Sequence, residues 1–302
     1  MPCTSPLTGW RSAVSNSNGK RPIVFDYSKS IGIEVTVPCG QCISCRLARS
    51  REWALRCMHE SQLHEDNMFI TLTYDDEHLP RDLSLKKKHF QDFMKRYRKR
   101  FPGQKIRYYH CGEYGEQFGR PHYHAIIFGH TFPDLEYFTS RNSNRVYTSD
   151  TLSDLWSYGF STVGSVTYES AAYVARYILK KITGDQADLH YSLFDYSTGE
   201  IYGSIQPEYT TMSRRPGIGR DFYEKFKSDF FPSDEAPLPD GRTLPVPGYY
   251  STLYEMEEPH IFREIKKRRK KKAKKLKRSD QQLVAHNEIL KSRLKQLRRD
   301  IE

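Results

Sequence analysis

Hydrophobic and polar positions follow two different periods along the first two-thirds of the chain. Apolar residues recur with the period of an amphipathic helix in three segments, 46–64, 84–101 and 169–184. Short apolar and β-branched runs, typical of strands, occupy 31–37, 68–74, 105–114, 122–129 and 160–168, and a short helix is predicted near 149–159. From residue 68 onward the order is therefore β-α-β-β-α-β-α. This order predicts an α+β fold with a ferredoxin-like or split-βαβ antiparallel sheet and helices on one face.

The same pattern divides the chain into four predicted segments. A Cys-rich segment with a helix (1–64) precedes the α+β core (65–184), and a less regular extension (185–262) leads to a basic tail that is helical or disordered (263–302). The net charge is +11, and the tail holds 17 Lys and Arg residues against 5 Asp and Glu. The basic excess therefore belongs to the tail, where it favours non-specific binding to DNA phosphates.

Composition excludes some classes of protein. The mean hydropathy is −0.75, and no apolar run approaches the roughly 20 residues of a membrane span. No signal segment opens the sequence, so we expect a soluble protein that stays inside the cell that makes it and has no membrane partner. The phosphate-binding motif GxxxxGK[ST] is absent from the sequence. The segment RRPGIG at 214–219 has glycines, but it lacks the lysine and the hydroxyl residue of that motif. Arg214 and Arg215 are candidates for contacts with a DNA backbone, or are simply surface charges.

Three of the six cysteines form a C-x2-C-x2-C run, Cys39, Cys42 and Cys45. In a chain without an export signal, this spacing favours metal binding over disulfide bonds. A structural Zn²⁺ ion would need a fourth ligand, for which Cys3 is the first candidate and Cys57 the second. The alternative is a set of reduced cysteines that pack a loop.

The segment PHYHAIIFG contains a second candidate metal site. Because side chains alternate along a strand, His122 and His124 lie on the same face. Two imidazoles can hold one divalent cation, and Mg²⁺ or Mn²⁺ favours an additional oxygen ligand. Glu113, on the preceding strand of a predicted hairpin, is the first candidate for that ligand, and Glu116 is the second. The alternative is a pair of hydrogen-bonded histidines without a metal.

The helix predicted over 169–184 contains candidate nucleophiles. Tyr173 and Tyr177 are spaced i and i+4, opposite the apolar stripe, and Lys180 lies beside them. A tyrosine hydroxyl, with a pKa of ~10, is a poor nucleophile at neutral pH, but it can attack a phosphodiester if a metal ion polarises the phosphate. Arg120 and Arg176, close to the histidines and tyrosines in sequence, are candidate DNA contacts. The alternative is that both tyrosines extend the hydrophobic core.

Together these motifs resemble a known family. PHYHAIIFG (121–129) resembles the HUH motif of rolling-circle replication initiators, FITLTY (69–74) resembles their first motif, and YVARYILKK (173–181) resembles their two-tyrosine third motif. With VPCGQCISCR and MSRRPGIG included, the ordered set is similar to the replication initiators of gokushoviruses, a branch of the microviruses, which are small single-stranded DNA phages.

The resemblance implies an HUH endonuclease with a five-stranded sheet that carries the histidines centrally. By position in the motifs, His122 and His124 would bind the metal, and Tyr173 and Tyr177 would cut the origin and form a 5′-phosphotyrosyl link. It implies single-stranded origin DNA, a host helicase and a host DNA polymerase as partners, in the cytoplasm of a bacterial host. Two rivals remain: a transposase or relaxase with the same site, and a non-catalytic, zinc-stabilised protein that binds single-stranded nucleic acid.

The last part of the tail contains a short heptad pattern. Leu283, Leu290 and Leu297 recur every seven residues, and Asn287 occupies the seam between them. This pattern is typical of a dimeric coiled coil and predicts a weak dimer through the C-terminal helix. The pattern lasts less than three heptads, so a solitary amphipathic helix is the alternative.

Overall fold

The computed structural model describes residues 3–17, 19–115, 118–141, 144–176, 181–182, 184, 186–195, 197–238, 241–275 and 278–296. Contacts group the chain into two compact units, the first made of Met1–Arg49 with Lys274–Arg298 and the second of Ser50–Ala273 with Arg299–Glu302. The four-segment division of the sequence stays a prediction. Among the described helices, none combines the length and the apolar character that crossing a membrane requires.

The described chain contains both strands and helices. The strands are β1 (Leu7–Ser12), β2 (Ile23–Val24), β3 (Ser30–Val37), β4 (Asn67–Thr73), β5 (Arg107–Tyr114), β6 (Pro121–Phe128), β7 (Glu136–Arg141), β8 (Asn144–Thr148), β9 (Ser161–Gly164), β10 (Ser192–Phe194), β11 (Ile201–Ser204), β12 (Tyr209–Met212), β13 (Glu235–Pro237) and β14 (Thr243–Pro245). The helices are α1 (Ile43–Ser61), α2 (Lys87–Arg100), α3 (Asp150–Leu155), α4 (Tyr168–Arg176), α5 (Gln186–Tyr191), α6 (Arg220–Phe230), α7 (Gly248–Glu257), α8 (Pro259–Lys275) and α9 (Asp280–Gln296), with a 3-10 turn at Tyr27–Lys29.

The second unit is organised around an antiparallel sheet, which confirms the predicted α+β class. Its described strands have the order β12-β5-β6-β4-β9-β8-β7, and β6, which carries the histidines, is paired on both sides. The expected number of five strands is wrong, because the seven described strands consist of four central strands, β5, β6, β4 and β9, with the β7–β8 hairpin at one edge and β12 at the other. These edge strands are largely solvent-exposed or half-buried, and they lack the apolar runs by which the central strands were predicted.

Helices cover both faces of this sheet, so the prediction of helices on one face is wrong. On one face α2 and α3 pack against alternate residues of β4 and β6, including Ile70, Leu72, Tyr123 and Ile127. On the other face α1 and α4 pack against the intervening residues, including Phe69, Ile126 and Phe128. Every residue of β6 is buried, and a strand that is apolar on both faces needs a layer on each side.

The RRPGIG segment is anchored to α1 and to β5. The Arg56 guanidinium donates two hydrogen bonds to the Ile218 carbonyl, at 3.1 and 3.0 Å. The Glu60 carboxylate accepts a hydrogen bond from the Gly219 amide, at 2.6 Å, and forms a buried ion pair with Arg107. The glycines of this segment therefore serve a structural role, because they allow the backbone to approach these buried charges closely.

We expect Gly219→Ala to destabilise the second unit strongly. Gly219 has a φ of +76°, and a Cβ at this position would lie 2.3 Å from the Tyr250 hydroxyl oxygen. Left-handed strain and this overlap together should cost about 2–4 kcal/mol of unfolding free energy, measured by urea denaturation. Gly199→Ala is the matched control, because Gly199 has a φ of +74° and no atom within 4 Å of the added Cβ. Equal losses in the two variants would contradict a role for the overlap.

The C-terminal helices are well packed at both ends of the basic run. Phe262 and Ile265 of α8 are buried in a cluster with residues of α6 and α7. In the first unit, the Thr4 hydroxyl donates to the Asn287 side-chain oxygen at 3.2 Å, and Leu290 is buried. Two residues of the predicted coiled-coil seam are thus engaged within the chain, and a dimer through α9 stays a prediction.

Candidate metal centre and nucleophile

The antiparallel register of β5 and β6 brings three predicted metal ligands together. Glu113 pairs directly with His122, and His124 follows two residues later on the same face. Glu113 Oε1 lies 2.8 Å from His122 Nε2 and 2.9 Å from His124 Nε2. One potential ligand atom from each residue lies within 4.8 Å of the others, and all three residues are buried. Glu116, the second candidate for the oxygen ligand, lies outside the described residues.

The remaining imidazole nitrogens have partners that orient both rings. His124 Nδ1 lies 3.0 Å from the Thr71 hydroxyl oxygen, and His122 Nδ1 lies 3.1 Å from the Arg120 carbonyl oxygen. These contacts direct both Nε2 atoms towards Glu113, as partners of metal-binding histidines commonly do. The sequence did not identify Thr71, although it lies in FITLTY and pairs with His124 in the register of β4 and β6.

The chemistry of this donor set fits a divalent cation. Burial raises the pKa of Glu113, but hydrogen bonds and charge from His122 and His124 outweigh burial and lower it to about 2. Glu113 is therefore an ionised carboxylate at neutral pH. Two imidazole nitrogens and one carboxylate oxygen suit Mn²⁺, and Mg²⁺ would need further oxygen ligands from water or from a phosphate.

Helix α4 places Tyr173 against this candidate metal site. The Tyr173 ring meets the His124 ring edge-on, with 5.3 Å between centroids, and both rings contact Phe69. Tyr173 is only 5% exposed and belongs to a hydrophobic cluster, so it is a core residue as well as a neighbour of His124. Tyr177 and Lys180 lie outside the described residues.

Two of the four arginines proposed as DNA contacts lie beside this site. The Arg120 side chain forms an ion pair with Asp76 at 2.6 Å, and its carbonyl contacts His122. The Arg176 guanidinium carbon lies 6.0 Å from the centroid of the Tyr173 ring. Both arginines are half-buried and carry positive charge close to the residues that would meet a phosphate.

The other two arginines, Arg214 and Arg215, are not in contact with the candidate metal site. Arg214 lines a cavity of about 280 Å³ with Lys87 and His110. His110 neighbours Cys111 on β5 and points to the opposite face of the sheet from Glu113, since side chains alternate along a strand. Arg215 is exposed. A direct role for this pair at the candidate metal site is therefore not supported by their positions.

The first unit brings four cysteines together. The sulfur atoms of Cys3, Cys39, Cys42 and Cys45 all lie within 4.8 Å of one another. Cys3 Sγ lies 3.6 Å from Cys39 Sγ. Backbone amides point at the sulfurs, including Thr4 N at 3.4 Å from Cys42 Sγ. Burial raises the pKa of Cys42, but hydrogen bonds from Thr4 and the neighbouring cysteines outweigh burial and lower it to about 6. Hydrogen bonding therefore favours the thiolate, the form that binds metal, at Cys42, whereas burial raises the pKa of Cys3 and of Cys45.

Cys57, the second candidate for a fourth ligand, lies elsewhere. It is fully buried in the second unit, in a cluster that includes Ala54, Phe69 and Tyr109. Burial raises its pKa well above the ordinary value for a thiol. Cys57 is therefore a packing residue, and Cys3 completes the four-cysteine group.

Comparisons with known proteins show the family of this chain. Residues 67–182, which include every residue of the candidate metal site, match the family described as replication-associated protein ORF2/G2P. The chain is 36% identical to replication-associated protein VP4 of Bdellovibrio phage phiMH2K over 287 residues, covering 91% of this chain and 84% of that protein. No solved structure matches the chain.

Two further relatives have related names. The chain is 33% identical to replication-associated protein ORF2 of Spiroplasma virus 4, covering 83% of this chain and 78% of that protein. It is 32% identical to replication-associated protein ORF4 of Chlamydia phage 1, covering 72% of this chain and 53% of that protein. The chain belongs to this family of phage replication-associated proteins and is a replication initiator of the gokushovirus type.

Proposed function

We propose that the protein is a metal-dependent, site-specific endonuclease and strand transferase that acts on single-stranded DNA to start and end rolling-circle replication. The observation that carries this proposal is the group of Glu113, His122 and His124 in direct contact with one another, with the Tyr173 ring packed against His124. A buried, anionic metal site next to a tyrosine is the combination that phosphodiester transfer to tyrosine requires.

The proposed reaction exchanges one phosphodiester bond for another. The phenolic oxygen of a tyrosine attacks the phosphorus, the bond from phosphorus to the 3′-oxygen breaks, and a bond from phosphorus to the tyrosine oxygen forms. The phenol loses its proton, and the departing 3′-oxygen takes one up to become a hydroxyl group. A divalent ion held by Glu113, His122 and His124 would polarise the phosphate and stabilise charge on the 3′-oxygen. Because the link keeps the phosphodiester state, the reverse reaction can rejoin the strand.

The second tyrosine extends this chemistry to a complete replication cycle. Tyr177 follows Tyr173 by four residues in the sequence, the spacing of neighbours on a helix, so one residue would hold the old 5′ end while the other cuts the regenerated origin. The Lys180 ammonium would balance charge on the phosphate. A host polymerase would extend the free 3′-hydroxyl, and a host helicase would open the duplex in the bacterial cytoplasm, since the sequence has no GxxxxGK[ST] motif. The exposed lysines of α8 would add non-specific affinity for DNA.

The direct test uses single-stranded oligonucleotides that tile the genome encoding the chain. Incubation with Mn²⁺ should yield, for one oligonucleotide, a protein–DNA adduct that survives SDS and a fragment with a free 3′-hydroxyl. A mobility shift without an adduct for any oligonucleotide would overturn the enzymatic proposal and favour a nucleic-acid-binding protein.

The four-cysteine group supports a second, structural metal. Coordination by four cysteine thiolates is a common form of structural zinc site, and the amide-to-sulfur hydrogen bonds found here stabilise thiolates. We expect metal analysis of protein purified without chelator to show about one zinc per chain, and chelation to lower the melting temperature. Cys42→Ser should lose this zinc, whereas Cys57→Ser, outside the group, should keep it. Full zinc content in Cys42→Ser would contradict the assignment.

A further inference from the structure

A groove runs along the sheet beside the candidate metal site. It has a volume of about 190 Å³ and is lined by residues of β4, β7, β8 and β9 and by the start of α4. Its mouth carries two large aromatic side chains, Phe138 and Phe160, which are 52% and 51% exposed. Their ring centroids are 5.5 Å apart. The two rings contact each other and form a contiguous apolar patch at a groove, which is a feature of ligand-binding surfaces.

The groove is continuous with the residues that hold the histidine and the tyrosine in place. Thr71 lines the groove and contacts His124 Nδ1 at 3.0 Å. Phe69 also lines the groove and packs against His124 and Tyr173. A strand of DNA that is cut at the candidate metal site would therefore pass directly into this groove.

The residues that line the groove suit a ligand that has flat, uncharged groups and phosphates next to them. None of the described residues that line the groove is acidic, and hydroxyl-bearing residues, such as Thr71, Thr73 and Thr162, line it together with the aromatic rings. Arg145, exposed on β8, supplies one positive charge at the groove. Unpaired nucleotides have this chemistry, because they combine a flat base that stacks on aromatic rings with an anionic backbone.

A glycine forms part of the floor of the groove. Gly164 on β9 pairs with Phe69 on one side and with Val146 on the other, so it lies in a cross-strand row between two side chains. A Cβ at Gly164 would meet only Phe69, at 3.8 Å, which is ordinary contact. Neither backbone strain nor close packing therefore requires glycine at position 164. The lack of a side chain at Gly164 leaves space above the sheet.

We infer that this groove binds the unpaired nucleotides next to the scissile phosphate and that Phe138 and Phe160 stack on their bases. The inference rests on the proposed function and adds to it the residues that position the substrate strand. Stacking is tolerant of base identity, so the groove would hold the strand in place and leave most sequence selection to other contacts.

The test separates base contacts from phosphate contacts. Fluorescence anisotropy at fixed salt compares a labelled oligothymidylate with an abasic strand of the same length, which keeps the phosphates and lacks the bases. The wild-type protein should prefer the oligothymidylate by about tenfold or more. The double variant Phe138→Leu with Phe160→Leu keeps apolar bulk but loses both flat faces, so it should lose most of this preference and keep its affinity for the abasic strand.

Two further variants make the result specific to the groove. Gly164→Val fills the floor with a side chain that suits a strand, and it should reduce the preference without lowering the melting temperature. Tyr137→Leu is the matched control, because Tyr137 neighbours Phe138 on β7, is 62% exposed and is not among the described residues that line the groove. An undiminished preference in the double leucine variant would overturn the inference, as would an equal loss in Tyr137→Leu.

Failure of the groove and failure of the proposed function give different results. If the wild-type protein forms the adduct and the double leucine variant keeps its base preference, the inference about the groove is wrong and the proposed endonuclease activity is supported. Loss of base preference in that variant, with no adduct in the wild-type protein, would support a nucleotide-binding groove in a protein that is not an endonuclease.

Discussion

Replacement of His122 or His124 by alanine should abolish covalent adduct formation while leaving most of the DNA affinity. Each imidazole offers one of three candidate ligand atoms that lie within 4.8 Å of one another, so its loss would leave a site too weak to hold an ion during the reaction. A bound ion would stabilise charge on the leaving oxygen by several kcal/mol, so its loss should lower the rate by about a thousandfold or more. DNA affinity should persist, because it comes mainly from phosphate contacts elsewhere.

Graded and neutral variants distinguish loss of metal from loss of folding. Thr71→Val keeps the shape of the strand but removes the hydroxyl next to His124 Nδ1, so the Mn²⁺ concentration for half-maximal rate should rise by about 10–100-fold. His78→Ala, at an exposed histidine of the same unit, should leave the rate unchanged. Adduct yield in either His122→Ala or His124→Ala equal to that of the wild-type protein would eliminate this metal site.

The grouping of the candidate ligands could be predicted because it follows from strand geometry. Alternation places His122 and His124 on one face, and a tight antiparallel hairpin places Glu113 opposite His122. Thr71 and Phe69 could not be identified in the same way. Their contacts depend on which strand pairs with the other edge of β6, and a long sequence separation leaves that pairing open.

The position of Tyr173 shows what a helical hydrophobic pattern can predict about burial and what it cannot. The helical period separates Tyr173 from the apolar stripe that contains Ala171 and Ala175, and the alternative was that the tyrosines extend the core, which Tyr173 does. In the structure all three residues are buried. The two alanines lie in the hydrophobic cluster, and Tyr173 also packs against the ring of His124. A helix that packs against polar, functional residues buries part of its polar face as well, and this cannot be read from hydrophobic spacing alone.

The fold beyond the central strands illustrates the same limit. Strands β4, β5 and β6 and helices α1 and α2 were predicted correctly, since each has a long, regular apolar pattern. The β7–β8 hairpin, which supplies Phe138 to the groove, was missed, because its residues are mostly exposed and polar. Helices α6 and α7 were also missed in a stretch rich in Pro, Tyr and Asp, where aromatic side chains form the buried cluster.

The double variant Tyr173→Phe with Tyr177→Phe should form no covalent adduct with origin DNA. The change removes only the hydroxyl groups, so the ring contacts of Tyr173 with His124 and Phe69 remain and the fold should be unchanged. Each single variant should still make a first cut on an oligonucleotide, with one tyrosine substituting for the other. The measurement is SDS gel electrophoresis of the protein after incubation with labelled origin oligonucleotide and Mn²⁺, followed by mass spectrometry of the linked peptide.

A tyrosine on the same helix provides the matched control for this loss. Tyr168 begins α4 and is half-buried, and its ring packs against the cluster that contains Tyr173. Tyr168→Phe should therefore form adduct at the wild-type rate, which excludes a general effect of hydroxyl removal on α4. Persistence of adduct in the double variant, or its location on a peptide without either tyrosine, would refute the nucleophile assignment. The metal site would then serve a different nucleophile, with water as the first to test, because a hydrolytic cut leaves two free DNA ends and no protein link.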